Sequence, residues 1–97
     1  MTKEVKEAKS KVIRAKEDVV FTDLDDGSAV LLHLQTKYYF SLNETGSFLW
    51  KLLERGSGAS EADLAEELCS AFDVEPDKAK SDVNEFLRDL REQGLIK

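Results

Sequence analysis

The sequence predicts an α+β fold in which a three-stranded antiparallel sheet is followed by three helices. Between Val12 and Leu42 the apolar residues come in short β-branched and aromatic runs separated by turn residues. After Leu42 they recur with the 3.6-residue period of a helix. A chain of 97 residues can form a single core that buries roughly 60–65% of the surface exposed by the unfolded chain. We therefore expect one domain over residues 12–97.

The first eleven residues carry four lysines and no core-forming pattern of apolar residues. Such a segment cannot bury enough apolar surface to offset the entropy lost on ordering. We therefore expect a disordered or fraying basic tail over residues 1–11.

Three strands are predicted in the first half of the chain. Residues 19–22 are β-branched and aromatic, and the Asp-Asp-Gly-Ser sequence at 25–28 is typical of a hairpin turn. A second strand follows at 29–34, a short turn at 35–37, and a third strand at 38–42. Strands joined by turns this short pair as an antiparallel meander.

Three helices are predicted in the second half. Asn43 and Ser60 are suitable N-caps for the first two, and Pro76 suits the first position of a third that ends at Gly94. Each helix has one apolar stripe and a charged back, so the stripes must pack together on one face of the sheet. Three helices with a small sheet is the composition of a winged-helix domain.

The net charge of −6 is unevenly distributed. Residues 1–17 carry six basic and three acidic groups, whereas residues 18–97 carry eight basic and seventeen acidic groups. An acidic body repels phosphate backbones and anionic lipid, and the predicted second helix has no basic residue to enter a DNA groove. We expect neither nucleic acid nor membrane as a partner.

The chain has no segment typical of a membrane span or of a secretory signal. Its longest uninterrupted apolar run has four residues, at 29–32, whereas a bilayer span needs about 20. Its N-terminus is charged throughout. A single cysteine, Cys69, fits a reducing compartment. We expect a cytoplasmic protein.

Few residues could support catalysis. A nucleophile–base pair would require the only histidine, His33, to meet Cys69 in space. A satisfied strand histidine and an inert helix cysteine are the favoured interpretation. The sequence also shows neither metal-ligand spacing nor a glycine-rich phosphate loop. We expect no enzyme activity, no cofactor and no metal.

The predicted third strand carries three consecutive aromatic residues and lies at an edge of the meander. Edge strands are normally protected by proline, inward charge or a bulge, and this strand contains none of these. One interpretation is a binding edge to which a partner peptide adds as a further strand. The other is that the aromatic residues simply belong to the core, with Phe40 and Leu42 inward and Tyr39 partly exposed. The residues by themselves favour the second interpretation.

Two segments resemble the PqqD-like family. They are the Tyr-Phe-Ser-Leu-Asn-Glu-Thr-Gly sequence at 39–46 and the Asp-Val-Asn-Glu-Phe-Leu-Arg-Asp-Leu sequence at 82–90, and the resemblance covers residues 12–97. The family usually has glycine in the turn before the aromatic strand, where this chain has Lys37. Either that turn needs a left-handed residue, in which case lysine costs about 1 kcal/mol there, or the turn differs from that of the family.

The resemblance implies a winged-helix-like recognition element for ribosomally made, post-translationally modified peptides. Such a domain has no catalytic activity. It binds the leader of a precursor peptide beside the third strand and against the third helix, and presents it to a radical-SAM enzyme, a cyclase or a protease. On this chain the edge would comprise Lys37, Tyr38, Tyr39, Phe40, Ser41 and Leu42. The cleft wall would comprise Val83, Phe86, Leu87 and Leu90 with flanking Lys80.

Two alternatives stay open. One is a winged-helix regulator that binds DNA, against which the helix charges already count. The other is a structural domain that pairs with its own copy through the same strand edge, so that the chain is a monomer or a weak edge-paired dimer.

Overall fold

The computed structural model describes residues 12–55 and 58–97. The predicted tail at residues 1–11 lies outside this range. The elements are β1 (Val12–Ile13), β2 (Val19–Asp23), β3 (Ala29–His33), β4 (Tyr39–Leu42), α1 (Glu44–Leu53), β5 (Ala59–Ser60), α2 (Glu61–Phe72) and α3 (Pro76–Glu92). β2, β3 and β4 form one antiparallel sheet in that order, with three helices after it. The predicted fold class is confirmed.

Two tight turns join the strands of this sheet, and both contain a residue with positive φ. Gly27 has φ +90° in the β2–β3 turn. In the same turn the hydroxyl and the backbone N–H of Ser28 donate to the Asp26 carboxylate, which lowers the pKa of that carboxyl. In the β3–β4 turn Lys37 has φ +67°, and its N–H donates to the His33 carbonyl at 2.7 Å. The turn therefore does require a left-handed residue.

The helices begin where the predicted caps lie. The side chain of Asn43 accepts a hydrogen bond from the Gly46 N–H at 2.8 Å at the start of α1. At the start of α2 the Ser60 hydroxyl accepts from the Asp63 N–H, and the Asp63 carboxylate accepts from the Ser60 N–H. Pro76 is the first residue of α3. Side-chain caps thus fix the starts of α1 and α2.

A second, two-stranded sheet is an element that the sequence did not predict. β1 pairs antiparallel with β5, so that Val12 lies opposite Ser60 and Ile13 opposite Ala59. Near the C-terminus Ile96 forms an isolated bridge with Ala15. Strands of two residues show no periodicity, so only the folded chain reveals this pairing.

The core lies between the inner face of the three-stranded sheet and the helices. Trp50 of α1 and Leu31 of β3 are both fully buried in it. Phe48 and Phe72 meet edge to face with ring centroids 5.3 Å apart, joining α1 to α2. No helix in the described part of the chain has the length and apolar character needed to cross a membrane.

Candidate functional site

β4 is an edge strand whose outer side has no strand partner among the described residues. Its register with β3 places Tyr39 opposite Leu32 and Phe40 opposite Leu31. The His33 N–H donates to the Tyr38 carbonyl at 3.0 Å. Because hydrogen-bonded and non-hydrogen-bonded pairs alternate in an antiparallel ladder, Phe40 bonds to β3 through its backbone, whereas the backbone of Tyr39 points to the free edge.

The same alternation applies to the rest of the strand. Leu42 directs its N–H and C=O toward β3, and Ser41 directs its own outward. The free edge of β4 therefore offers the donors and acceptors of two residues, Tyr39 and Ser41, to an added strand.

The side chains of β4 divide between the two faces of the sheet. Leu42 is buried and half-buried Phe40 packs against the core, whereas Tyr38 and Tyr39 are 68% and 73% exposed. Phe40 and Leu42 thus face inward as the core interpretation expects, and both tyrosines are more exposed than a core role allows. The binding-edge interpretation keeps its structural basis, because an unpaired backbone edge and exposed aromatic side chains occur together.

A cleft of about 350 Å³ opens at the Leu42 end of β4. Gly46 lies at its base, because a Cβ there would stand 3.3 Å from Leu42 Cδ2 and 3.4 Å from Phe86 Cε1. The strand, the start of α1 and the middle of α3 therefore meet at one point. The cleft is lined by Asn43, Thr45, Gly46 and Leu49 on one side and by Lys78, Asp82, Glu85, Phe86 and Asp89 of α3 on the other.

The predicted wall residues of α3 do not all lie on the cleft. Phe86 is half-buried and lines it. Val83, Leu87 and Leu90 are at most 1% exposed and pack in the core. These three residues hold α3 against the rest of the fold and expose almost no surface to a bound peptide.

Lys80 lies on another flank of α3. A larger groove of about 1030 Å³ runs between α2 and α3, and Lys80 lines it together with Ala65 and Cys69. Six positions separate Lys80 from Phe86, which corresponds to about 120° around the helix. The smaller cleft is the stronger candidate for peptide binding, because it lies at the Leu42 end of β4, where Gly46 contacts both Leu42 and Phe86.

The cleft is acidic on its α3 side. Three carboxylates, those of Asp82, Glu85 and Asp89, line it with one ammonium, that of Lys78. Lys78 Nζ already lies 3.1 Å from Asp82 Oδ1. This charged face was not predicted from the sequence, although its members lie three to four residues apart around Phe86, the spacing at which helical residues share a face.

The residues considered for catalysis have ordinary structural surroundings. His33 is buried, and its Nδ1 accepts a hydrogen bond from the Gln35 N–H at 3.2 Å. Cys69 is half-buried and lines the α2–α3 groove, to which His33 does not contribute. Among the residues described here, no three histidine, cysteine or acidic side chains are grouped so that they could hold a metal ion.

Comparison with known protein families shows to which family the chain belongs. The model of the family described as coenzyme PQQ synthesis protein D (PqqD) matches residues 28–96. This chain belongs to the PqqD family. The match spans the sheet edge, the cleft and all three helices, and it confirms the family resemblance found in the sequence. Among curated proteins, none matches the chain significantly.

Three solved structures share the fold of this PqqD-family chain. TbiB1 in complex with the TbiA(beta) leader peptide is 33% identical, with a TM-score of 0.77, and the match covers 87% of this chain and 94% of TbiB1. A lasso peptide synthetase B1 complexed with its leader peptide is 29% identical, with a TM-score of 0.73 and coverage of 88% and 96%.

The third structure is the PqqD part of Methylobacterium extorquens PqqCD, described as a functional, stand-alone recognition element for ribosomally synthesised and modified peptides. It is 20% identical over 92% of each chain, with a TM-score of 0.72. At this identity the likeness extends to the fold alone. The fold found here is therefore shared with proteins whose solved structures include leader peptides and with one that is a recognition element by itself.

Proposed function

We propose that this chain is a non-catalytic chaperone that binds the leader of a ribosomally synthesised precursor peptide and presents the precursor to a modifying enzyme. The leader adds as a strand beside β4 and lies against α3. The observation that carries the proposal is the unpaired edge of β4 next to the Phe86 cleft. This feature occurs in a chain one third identical to TbiB1, whose structure was solved with a leader peptide.

The backbone of β4 supplies the affinity that is independent of leader sequence. An extended peptide that adds to a sheet edge gains main-chain hydrogen bonds, here to the N–H and C=O groups of Tyr39 and Ser41. Lys37 and Tyr38 precede these residues at one end of the edge, and Phe40 and Leu42 face the core between and after them. Main-chain pairing of this kind tolerates different leader sequences.

The cleft supplies selectivity. Alternate side chains of an added strand point to the inner side of the sheet, where half-buried Phe86 offers apolar surface. Full burial of one leucine or phenylalanine of the leader is worth about 1.5–3 kcal/mol. Val83, Leu87 and Leu90 contribute by fixing the position of α3 beneath the cleft, and Lys80 lies outside the surface that we assign to the leader.

The chain acts by tethering. It brings no chemistry of its own, so a separate maturation enzyme modifies the core peptide attached to the leader. In this family that enzyme is commonly a radical-SAM enzyme, a cyclase or a protease. Holding substrate and enzyme together raises the local concentration of the core peptide, up to the millimolar range for a short connection. We place this activity in the cytoplasm, where precursor peptides are made.

The test compares two proline variants in calorimetric titrations with the leader of the precursor encoded beside this gene. Ser41→Pro removes an outward N–H from β4 and leaves its bonds to β3. Asp23→Pro is the matched control at the opposite edge of the sheet. The Leu24 N–H bonds to Ser28 and the Leu34 N–H to Asp18, so the Asp23 N–H also points outward.

We expect leader binding by the unmodified chain and by Asp23→Pro, and at least a tenfold weaker association for Ser41→Pro. Equal affinities for the two proline variants would contradict strand addition at β4. Failure of the unmodified chain to bind the leader would contradict the function itself. Salt-sensitive binding to duplex DNA, or a dimer that Ser41→Pro dissociates, would then support one of the two alternatives.

A further inference from the structure

The free edge of β4 and the Phe86 cleft together form the proposed leader-binding surface, here called the peptide groove. We propose that this groove selects charged leader residues at its two ends and thereby fixes the register of the bound leader. The cleft at the Leu42 end takes a basic leader residue, and Lys37 at the other end takes an acidic one. This inference rests on the proposed function and adds to it the charge pattern of the peptide that binds. Its basis is the distribution of charged side chains around β4.

The Leu42 end of the groove is surrounded by carboxylates. Asp82, Glu85 and Asp89 of α3 line the cleft, and its single ammonium, on Lys78, is already paired with Asp82. Glu85 has a neighbour in Arg88, but their side chains are 4.0 Å apart and more than half exposed, so this pair is weak. A lysine or arginine of the leader would therefore find uncompensated negative charge beside the apolar surface of Phe86.

The turn between β2 and β3 adds to the negative charge at this end. The side chain of Glu44, the first residue of α1, lies 3.5 Å from the position that a Cβ on Gly27 would occupy. The turn therefore lies beside the start of α1, and it contributes Asp25 and Asp26, both exposed. The cleft face of α3 and the β2–β3 turn thus both place negative charge at the Leu42 end of the groove.

The opposite end of β4 carries Lys37. Its side chain is exposed and has no ion-pair partner within 4.0 Å among the described residues. Its φ of +67° is a conformation that glycine adopts freely and that disfavours other L-residues. Backbone strain of this kind tends to occur at functional positions. A lysine held there at a cost in stability points to a use for its ammonium group at the strand edge.

Backbone pairing alone does not fix the register of a bound leader, whereas charge at both ends of the groove would fix it. A strand that slips by two residues keeps the same side chains on the same face, so main-chain bonds do not fix its register. Three residue steps separate Tyr39 from Leu42, or about 10 Å along the strand, and Lys37 lies beyond Tyr39 in the turn. This separation exceeds the screening length of about 8 Å at physiological ionic strength, so each end acts on its own leader residue. The two leader charges should therefore lie about four to six residues apart.

The direct test is selection from a displayed library of random 14-residue peptides on the folded domain. We expect the selected peptides to carry lysine or arginine on one side and aspartate or glutamate on the other, about four to six residues apart. With antiparallel pairing to β4 the basic residue comes first in the peptide. Selection on Lys37→Glu should remove the acidic preference and keep the basic one. Lys80→Glu makes the same change of charge in the α2–α3 groove and should leave both preferences intact.

The size of the charge effect on affinity is then measured by comparing one selected peptide with an isomer in which its two charged residues are exchanged. The exchange should weaken binding about threefold to tenfold at low salt, and the difference should shrink at high salt. Selected peptides with no charge bias, and equal affinities for both isomers, would overturn the charge proposal and leave peptide binding intact. A library that yields no binders would overturn both proposals.

Discussion

Lys37 combines a backbone conformation that costs stability with an exposed side chain next to the strand edge. Its φ of +67° closes the turn that begins β4, with its N–H bonded to the His33 carbonyl. The left-handed conformation costs an L-residue about 1–2 kcal/mol, and glycine would avoid that cost. The sequence left two possibilities for a lysine where the family usually has glycine, either this conflict or a different turn. The positive φ shows that the turn does hold this lysine in the left-handed conformation.

Replacement of Lys37 by glycine should stabilise the chain. Relief of the left-handed strain outweighs the additional entropy of glycine in the unfolded state, and we expect the free energy of unfolding to rise by about 0.5–1 kcal/mol. Urea denaturation of Lys37→Gly measures this change. Lys37→Gln, which removes the charge and keeps the strain, is the control and should leave the stability nearly unchanged. A destabilised Lys37→Gly would show that the lysine side chain itself stabilises the turn.

At the scale of elements, the junction between β4 and α1 builds the site. Asn43 directly follows β4, caps α1 and lines the cleft. One turn later, the absence of a side chain at Gly46 lets Leu42 and Phe86 pack close to the helix. The geometry of the binding surface therefore depends on where α1 begins. The carboxamide oxygen of Asn43 fixes that point by accepting the Gly46 N–H at 2.8 Å.

Loss of this cap should destabilise the chain measurably. Asn43→Ala leaves the Gly46 N–H without its acceptor and should lower the free energy of unfolding by about 1 kcal/mol. Asn43→Asp keeps an acceptor and places a negative charge at the helix N-terminus, so it should retain the stability of the original chain. Thermal denaturation of both variants at neutral pH checks the pair. Equal melting temperatures for Asn43→Ala and the unmodified chain would contradict a capping role.

The elements that the sequence predicted are those with local signals. Period-two runs, the hairpin turn and the caps at Asn43 and Ser60 all act within a few residues, so the strands and helix starts could be found without a structure. The β1–β5 ribbon depends on contacts between distant residues and has no local signal. The cleft face of α3 was missed for a related reason. Both flanks of its apolar stripe are charged, and only the position of α1 decides which flank faces the strand.

At the scale of the whole molecule, one small core supports two separate grooves on the flanks of α3. The buried stripe of α3, which includes Val83 and Leu87, keeps the two grooves apart. The groove beside Phe86 lies at the Leu42 end of β4, whereas the larger one lies between α2 and α3. The proposed leader site therefore occupies one side of the molecule, and the side that holds Lys80 and Cys69 is available to other contacts.

Leader recognition by strand addition at β4 can be observed residue by residue in an amide NMR titration of the unmodified chain with the leader. We predict saturable shifts at Tyr39, Ser41 and the residues around Phe86, with little change at Lys80 or along β2. The outward N–H groups of Tyr39 and Ser41 should also become protected from hydrogen exchange when the leader is bound. Shifts concentrated along the α2–α3 groove, with the β4 amides unaffected, would contradict the account.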